Sequence, residues 1–356
     1  MAATAGFRLR VEPLSASHLA LVPTAQAGCS PLPENFLQSL LVQSWLSRFD
    51  QWLPDRLNAR LTRVLTLIES CSDSADRLET LALMRCGNRR HSCWHLDLLP
   101  LLSPRHFSRQ QGLRLLIQQA LSDDIARSRS WLVRCDPDDR PQLDVLREMG
   151  FQPLRHGRLW TPPEQITTAP DGAVTATPPR GLDWGPLSDD TARQLLTLEQ
   201  ASMTPQHRQI LDRQCGDLLD LRGGGSTVLT AQRDQSQQVI AGLIRRPWGI
   251  DAPALELVRG PAWDERIGDA LPAALETLQL QQTAPCLVVA EDDQQIASVL
   301  EGQGWQPGPL ELMLGRSLWR RAPQRSLAGI RPLESMLGRL QPQHPPLPTP
   351  SLAPRR

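Results

Sequence analysis

The chain repeats itself at an offset of 154 residues, and few sequence features constrain a fold more. Shifted by that amount, Trp131–Pro153 lies without gaps on Pro285–Pro307. Asp138, Asp139, Val145, Leu146, Gly150, Gln152 and Pro153 then fall on Asp292, Asp293, Val299, Leu300, Gly304, Gln306 and Pro307, and Phe151 falls on Trp305. In the segment before, Leu113, Leu116, Ile117, Ala120 and Leu121 fall on Ile267, Ala270, Leu271, Ala274 and Leu275. Those spacings are i, i+3, i+4, i+7 and i+8, the apolar stripe of a helix packed on a sheet. A stripe, an apolar strand and a Gly-aromatic end in one register are not a chance match. The chain therefore reads as two copies of one layered α+β unit, and two similar sheets are expected, with Trp131–Cys135 and Cys286–Ala290 as equivalent strands.

Punctuation residues divide the chain accordingly. Residues 166–180, rich in Thr, Ala and Pro, read as a linker between a first domain, 1–165, and a second, 181–321. The Pro-rich tail, 322–356, reads as mostly disordered. In the first half a strand over Phe7–Val11 precedes a helical region near 33–53, with Phe36, Leu40, Trp45, Phe49 and Trp52 as candidate core. Strand-like runs follow over Val64–Ile68, Leu78–Met84 and Trp94–Leu102, and the turn-rich separators between them predict an antiparallel meander. A helix over 110–128, the strand Trp131–Cys135, a helix over 141–149 and a last strand complete the unit. The second half repeats the order with Thr227–Gln232, Val239–Arg245, Leu255–Arg259, a helix near Leu271–Leu280, and Cys286–Ala290. A meander followed by a strand–helix–strand crossover is a mixed, mostly antiparallel sheet with helices on its faces.

Composition narrows the chemistry. The 38 basic residues balance 38 acidic ones, so no nucleic-acid or anionic-membrane partner is indicated. Every basic residue is Arg and there is no Tyr, which excludes a Schiff-base lysine, a phosphate-loop lysine and a phenolic acid. Seven cysteines without a C-x-x-C pair suit reduced thiols in a cytoplasmic protein. Met1–Arg10 carries charge early and lacks an apolar run, so no signal peptide is expected, nor is a membrane span. Cys86, His91, Cys93 and His95 fall within ten residues, but their spacing matches no common zinc motif, and a hairpin explains the local polarity. No metal is expected.

The hexapeptide Arg109-Gln110-Gln111-Gly112-Leu113-Arg114 resembles the [QR]-x-x-G-x-[GA] acyl-CoA loop of the GNAT N-acetyltransferase superfamily. Asp139–Phe151 is similar to that family's later segment, and the shared element order spans nearly all of 8–160 and 182–319. The resemblance implies two tandem GNAT-like folds and transfer of an acetyl or other acyl group from acyl-CoA to an amine on a small molecule or peptide, in a bacterial-type protein. Its site residues would be Leu101 or Leu102, whose backbone N–H would meet the thioester carbonyl, and Arg109, Gln110, Gln111, Gly112, Leu113 and Arg114 around the pyrophosphate. Physically, a loop entering a helix offers free N–H groups and the positive end of the helix dipole, and glycine permits close approach.

Asp97, in the apolar run Leu96-Asp97-Leu98-Leu99, is the candidate base, with Glu256 as its second-half counterpart. An outward-facing carboxylate explains either residue equally. The family's tyrosine acid is replaced by Leu146, and by Leu300 in the second copy. That loop in the second half, Trp263-Asp264-Glu265-Arg266-Ile267-Gly268, sets acids where phosphates would lie, and Pro272 is expected to delay the helix start. The second half therefore reads as degenerate, Gly223–Gly225 as a turn, and the two halves as a pseudo-dimer within one chain. The alternative to a transferase is a catalytically silent binding or scaffold protein of the same fold.

Overall fold

The computed structural model describes residues 7–21, 38–42, 45, 62–71, 74–87, 92–100, 106–122, 128–163, 178–233, 236–246, 254–279 and 285–317. In the first half, β1 (Phe7–Pro13) and a 3-10 turn (Ala16–Leu21) lead to β2 (Thr62–Cys71), β3 (Ser74–Cys86) and β4 (Cys93–Pro100). Then come α1 (Arg109–Ser122), β5 (Ser130–Cys135), α2 (Arg140–Glu148) and β6 (Gln152–Thr161). The second half runs β7 (Leu182–Pro186), α3 (Asp189–Ser202), α4 (Pro205–Leu211), α5 (Cys215–Leu219), β8 (Thr227–Arg233), β9 (Ser236–Arg245) and β10 (Ala254–Arg259). It closes with α6 (Glu265–Gln279), β11 (Cys286–Ala290), α7 (Gln294–Gly302) and β12 (Gln306–Ser317).

The expected meander is present, since β2, β3 and β4 pair antiparallel in sequence. The two expected sheets are not separate. All twelve strands form one sheet in the order β1-β2-β3-β4-β5-β12-β6-β11-β10-β9-β8-β7. Read from either end the order is the same unit, and the centre lies between β12 and β6. There the last strands are exchanged: β12 of the second half pairs with β5, and β6 of the first pairs with β11. Exchange satisfies the edges of β5 and β11, which would otherwise expose unpaired backbone groups at a sheet edge.

Local structure follows the repeat closely. Adding 154 to the bounds of α2, Arg140 and Glu148, gives 294 and 302, the bounds of α7. Asp139 and Asp293 cap these helices, each accepting the backbone N–H three residues on. At the other ends Gly150 (φ 83°) and Gly304 (φ 77°) take the left-handed conformation. Phe151 N then bonds Leu146 O, and Trp305 N bonds Leu300 O, each at 3.0 Å, so the aromatic tucks under its own helix.

The second half is layered on both faces. Leu195, Leu218, Val228, Ile244 and Val258 join α3 and α5 to one face, while Ile267, Leu271, Leu275, Ile296 and Leu300 join α6 and α7 to the other. Helix α6 is a correction. Pro272 does not delay its start, because α6 begins at Glu265 and carries the proline inside. An interior proline costs about 3 kcal/mol, but α6 buries Ile267, Leu271, Leu275 and Leu278, each contributing roughly 1.5–3 kcal/mol. Burial wins. Gly223–Gly225 make a turn ahead of β8, all with positive φ. Of the helical region expected near 33–53, Leu40 is buried and Trp45 is 57% exposed. Phe36, Phe49, Trp52, His91, most of the linker and the whole tail lie outside the described residues.

Candidate functional site

The parallel partners β4 and β5 stay together only from Cys93–Leu96 against Ser130–Val133. Beyond that β4 runs on to Pro100, paired with β3 alone, and the two strands part. The second half does the same. Strand β10 pairs with β11 over Ala254–Glu256 and then leaves it. In each half a helix begins just past the parted strand, so each copy presents a slot between strand ends with a helix N-terminus beside it.

In the first half Asp97 is the first residue of β4 past the last pairing with β5. Its Oδ2 lies 3.8 Å from Arg85 Nε. Burial pushes its carboxyl above the usual range, while Arg85, Arg134 and Arg246 pull it down. A buried carboxylate raised in this way is a better base than an exposed one.

The loop residues are placed at the start of α1. Ser108 caps it, its Oγ accepting Gln111 N at 3.2 Å and its carbonyl accepting Gly112 N at 3.2 Å. Gly112 is a packing residue. A Cβ there would stand 2.6 Å from Phe107 and 2.9 Å from Leu67. Leu113 is buried. Arg109 donates to both oxygens of Asp139, at 3.1 and 2.5 Å, and so ties the start of α1 to the cap of α2 across the slot. Arg114 reaches Glu148 at 2.6 Å on the surface. Gln110 is half-buried and Gln111 exposed on the first turn. Leu101 and Leu102 lie outside the described residues. Leu146 and Leu300 are completely buried.

In the second half a cavity of about 700 Å³ opens between β10, β11 and β6 under α3 and α4, with Leu257, Val258, Val289, Ala290, Leu154 and Met203 among its apolar walls. Glu256 stands in it, 3.1 Å from Arg155 of β6. Burial pushes the Glu256 carboxyl up, but Arg155, Arg246, Arg134 and Arg213 outweigh it and hold the group at about 2. At the mouth, Arg259 gives Nε to Asp293 at 2.7 Å and Nη1 to Gly260 O at 2.8 Å, and its guanidinium lies over Trp263. Asp264 is bound by Arg266, which lowers its carboxyl.

A chamber of about 20 Å³, room for one water molecule, lies behind this cavity and shares Glu199, His207 and Glu256 with it. Arg134, Arg213 and Arg246 line it. Glu311 of β12 bridges Arg134, at 3.4 Å, and Arg246, so a strand exchanged from the second half neutralises arginines of both. Burial, then the nearby Arg246, lowers Arg134 to about 10.

The reading of the sequence missed Glu199, His207 and Arg155. Position 199 carried a signal, an acid on the inward side of a helix. Arg155 carried none, because its partner comes from the other half. Cys86, Cys93 and His95 are all buried, and among the described residues no three His, Cys, Asp or Glu side chains gather to hold a metal. No helix among them is long and apolar enough to cross a membrane.

No protein-family model matches the chain, and no curated protein matches it in sequence. Solved structures do. A GCN5-related N-acetyltransferase from Sphaerobacter thermophilus superposes with a TM-score of 0.50 at 12% identity, covering 88% of this chain and 96% of that one. A tandem GNAT protein from the clavulanic acid biosynthesis pathway gives 0.47 at 16% identity, over 88% and 99%. A GCN5-related N-acetyltransferase from Kribbella flavida gives 0.44 at 9% identity, over 79% and 97%.

Proposed function

We propose that this chain, which carries the GNAT fold in tandem, is an acyl-CoA-dependent N-acyltransferase with its reacting centre in the first half. The observation that carries the reading is the parting of β4 from β5 at Asp97, beside the capped start of α1. A thioester arm fits between parted strands, where the free edge of β4 beyond Leu96 offers backbone N–H groups to the carbonyl oxygen. The N–H groups of Arg109 and Gln110, ahead of those engaged by Ser108, face a pyrophosphate at the start of α1. Arg109 adds charge once a phosphate competes with Asp139 for its guanidinium.

The chemistry balances with the residues present. The acceptor amine attacks the thioester carbonyl carbon; the C–N bond forms, the C–S bond breaks, and sulfur leaves with the electron pair. Asp97 accepts the proton the amine loses. No tyrosine exists to protonate the thiolate, and the buried Leu146 cannot be exchanged for one without overfilling the core. Solvent therefore supplies that proton.

Thiol release from acetyl-CoA across a panel of primary amines tests the reading. Release is expected in wild type and reduced at least 100-fold in Asp97→Asn. Acetyl-CoA binding without release for any amine would favour the silent scaffold instead. Calorimetry should count one CoA per chain, because the second-half loop sets Asp264 and Glu265 where the phosphates would lie.

A further inference from the structure

A layer of buried charge lies where the two halves meet, and its charges do not cancel. Arg213 is paired with Glu199, Arg155 with Glu256, and Arg85 with Asp97. Glu311 alone answers two arginines, Arg134 of the first half and Arg246 of the second. His95 and His207 add no charge, because burial, with arginines nearby, holds both imidazoles well below their usual range. The layer therefore keeps one positive charge more than it has negative. A cation taken out of water without a counter-charge is costly. Its effect is felt at Arg134, which burial and then Arg246 lower to about 10.

The surplus surrounds the chamber of about 20 Å³, which Arg134, Arg213 and Arg246 all line. The side chains of Arg246 and Arg134 are only 7% and 14% exposed. Arg134 makes no hydrogen bond among the described residues; Glu311 comes no nearer than 3.4 Å to its Nε, and both Nη groups lack a partner. Arg246 bonds Glu311 through Nη2 and leaves Nη1 unmet, while Arg213 bonds Glu199 through Nη1 and leaves Nη2 unmet. One water in the chamber has two lone pairs, too few for the N–H groups of three guanidiniums. A monatomic anion is little larger than a water and accepts from every direction, and it brings the missing charge. The two acids of the wall, Glu199 and Glu256, are already held by Arg213 and Arg155. Met203 and Val258 are walls of both the chamber and the larger cavity outside it, which gives a way in.

We infer that this chamber is a binding site for one small monovalent anion of the size of chloride, held by the guanidiniums of Arg134, Arg213 and Arg246. Bound there, the ion ties β5 of the first half to arginines of the second, across the strand exchange. The site does not rest on the transferase reading.

Thermal unfolding of the full chain tests it, with sodium chloride replacing sodium gluconate at constant ionic strength, so that general screening stays fixed. Gluconate is too large for the chamber. The midpoint should rise with chloride and saturate as one site fills. Arg134→Met and Arg246→Met each leave Glu311 a single arginine, and each should weaken chloride at least about 10-fold, the loss of a charged hydrogen-bond donor. Glu256→Gln, which removes an acid from the wall, should tighten chloride instead. Wild-type crystals grown in sodium bromide provide a measurement that needs no variant: an anomalous peak is expected between the three guanidiniums. Equal midpoints in the two salts would overturn the assignment. So would a chloride response that persists unchanged in both Arg→Met variants, since it would come from the surface. Density in the chamber without a bromide signal would identify a water and overturn it as well.

Discussion

Arg155 on β6 belongs by sequence to the first half, yet its guanidinium lies 3.1 Å from the carboxylate of Glu256 on β10 of the second. The exchange of β6 for β12 puts it there. The pair is three-quarters buried, and breaking one side strands a charge in the cavity wall. Arg155→Met should therefore cost roughly 3 kcal/mol in urea unfolding, and Arg155→Met with Glu256→Leu should recover most of it. A single-variant cost near zero would mean the pair is solvated in solution.

Glu256 also sets an acid limit. Its carboxyl is held at about 2, below the ordinary 4.5, so its contribution to stability is fully present above pH 4.5 and is lost as pH falls towards 2. Glu256→Gln should flatten the unfolding midpoint between those pH values. A curve of unchanged slope would place the acid-sensitive group elsewhere.

His207 acts in the next window up. Its folded value, about 4, lies below the ordinary 6.5, so the unfolded chain takes up a proton first. Stability should fall by on the order of 3 kcal/mol as pH drops from 6.5 to 4, and level off below. Replacing the imidazole in His207→Gln should remove that slope. NMR titration of the ring should show a midpoint near 4; a midpoint near 6.5 would contradict the burial that lowers it.

At Gly112 the expected effect is on packing. Even Gly112→Ala brings a methyl against Phe107 and Leu67, and should destabilise by about 1–3 kcal/mol. Combining it with Phe107→Leu should restore part of the loss, read as a rise in thermal midpoint. If the single change were neutral, the glycine would be there for a ligand alone.

Pro272 offers the opposite sign. It sits inside α6 and removes one helical hydrogen bond, so Pro272→Ala should stabilise, by up to about 3 kcal/mol. A lower melting point in that variant would mean the proline is needed for packing against β7, where Trp184 Nε1 donates to Ala270 O at 2.9 Å.

Local order was legible in the residues. Periodicity placed the strands of the first half and β8 to β11 of the second, but not β7, β12 or α3 to α5, and the register of 154 placed α2 on α7 with their aspartates and glycines, because these features are set within a few residues of chain. Fold class followed from the order of elements, and Asp97 stood out as a charge in an apolar run. Fusion of two sheets into one, however, depends on which edges meet, and a repeated pattern reads identically whether β6 returns to its own half or crosses to the other. That choice brought Arg155 to Glu256 and Glu311 to Arg134 and Arg246. Likewise Arg109 read as a free phosphate ligand until tertiary structure set Asp139 against it. The sequence reading placed no helix where α3 and α4 carry Glu199 and His207, and the burial of both side chains is a property of the packed chain. The sequence by itself determined what each segment would become. Only the packing of segments far apart in the chain decided which charges would meet and which would be left facing a cavity.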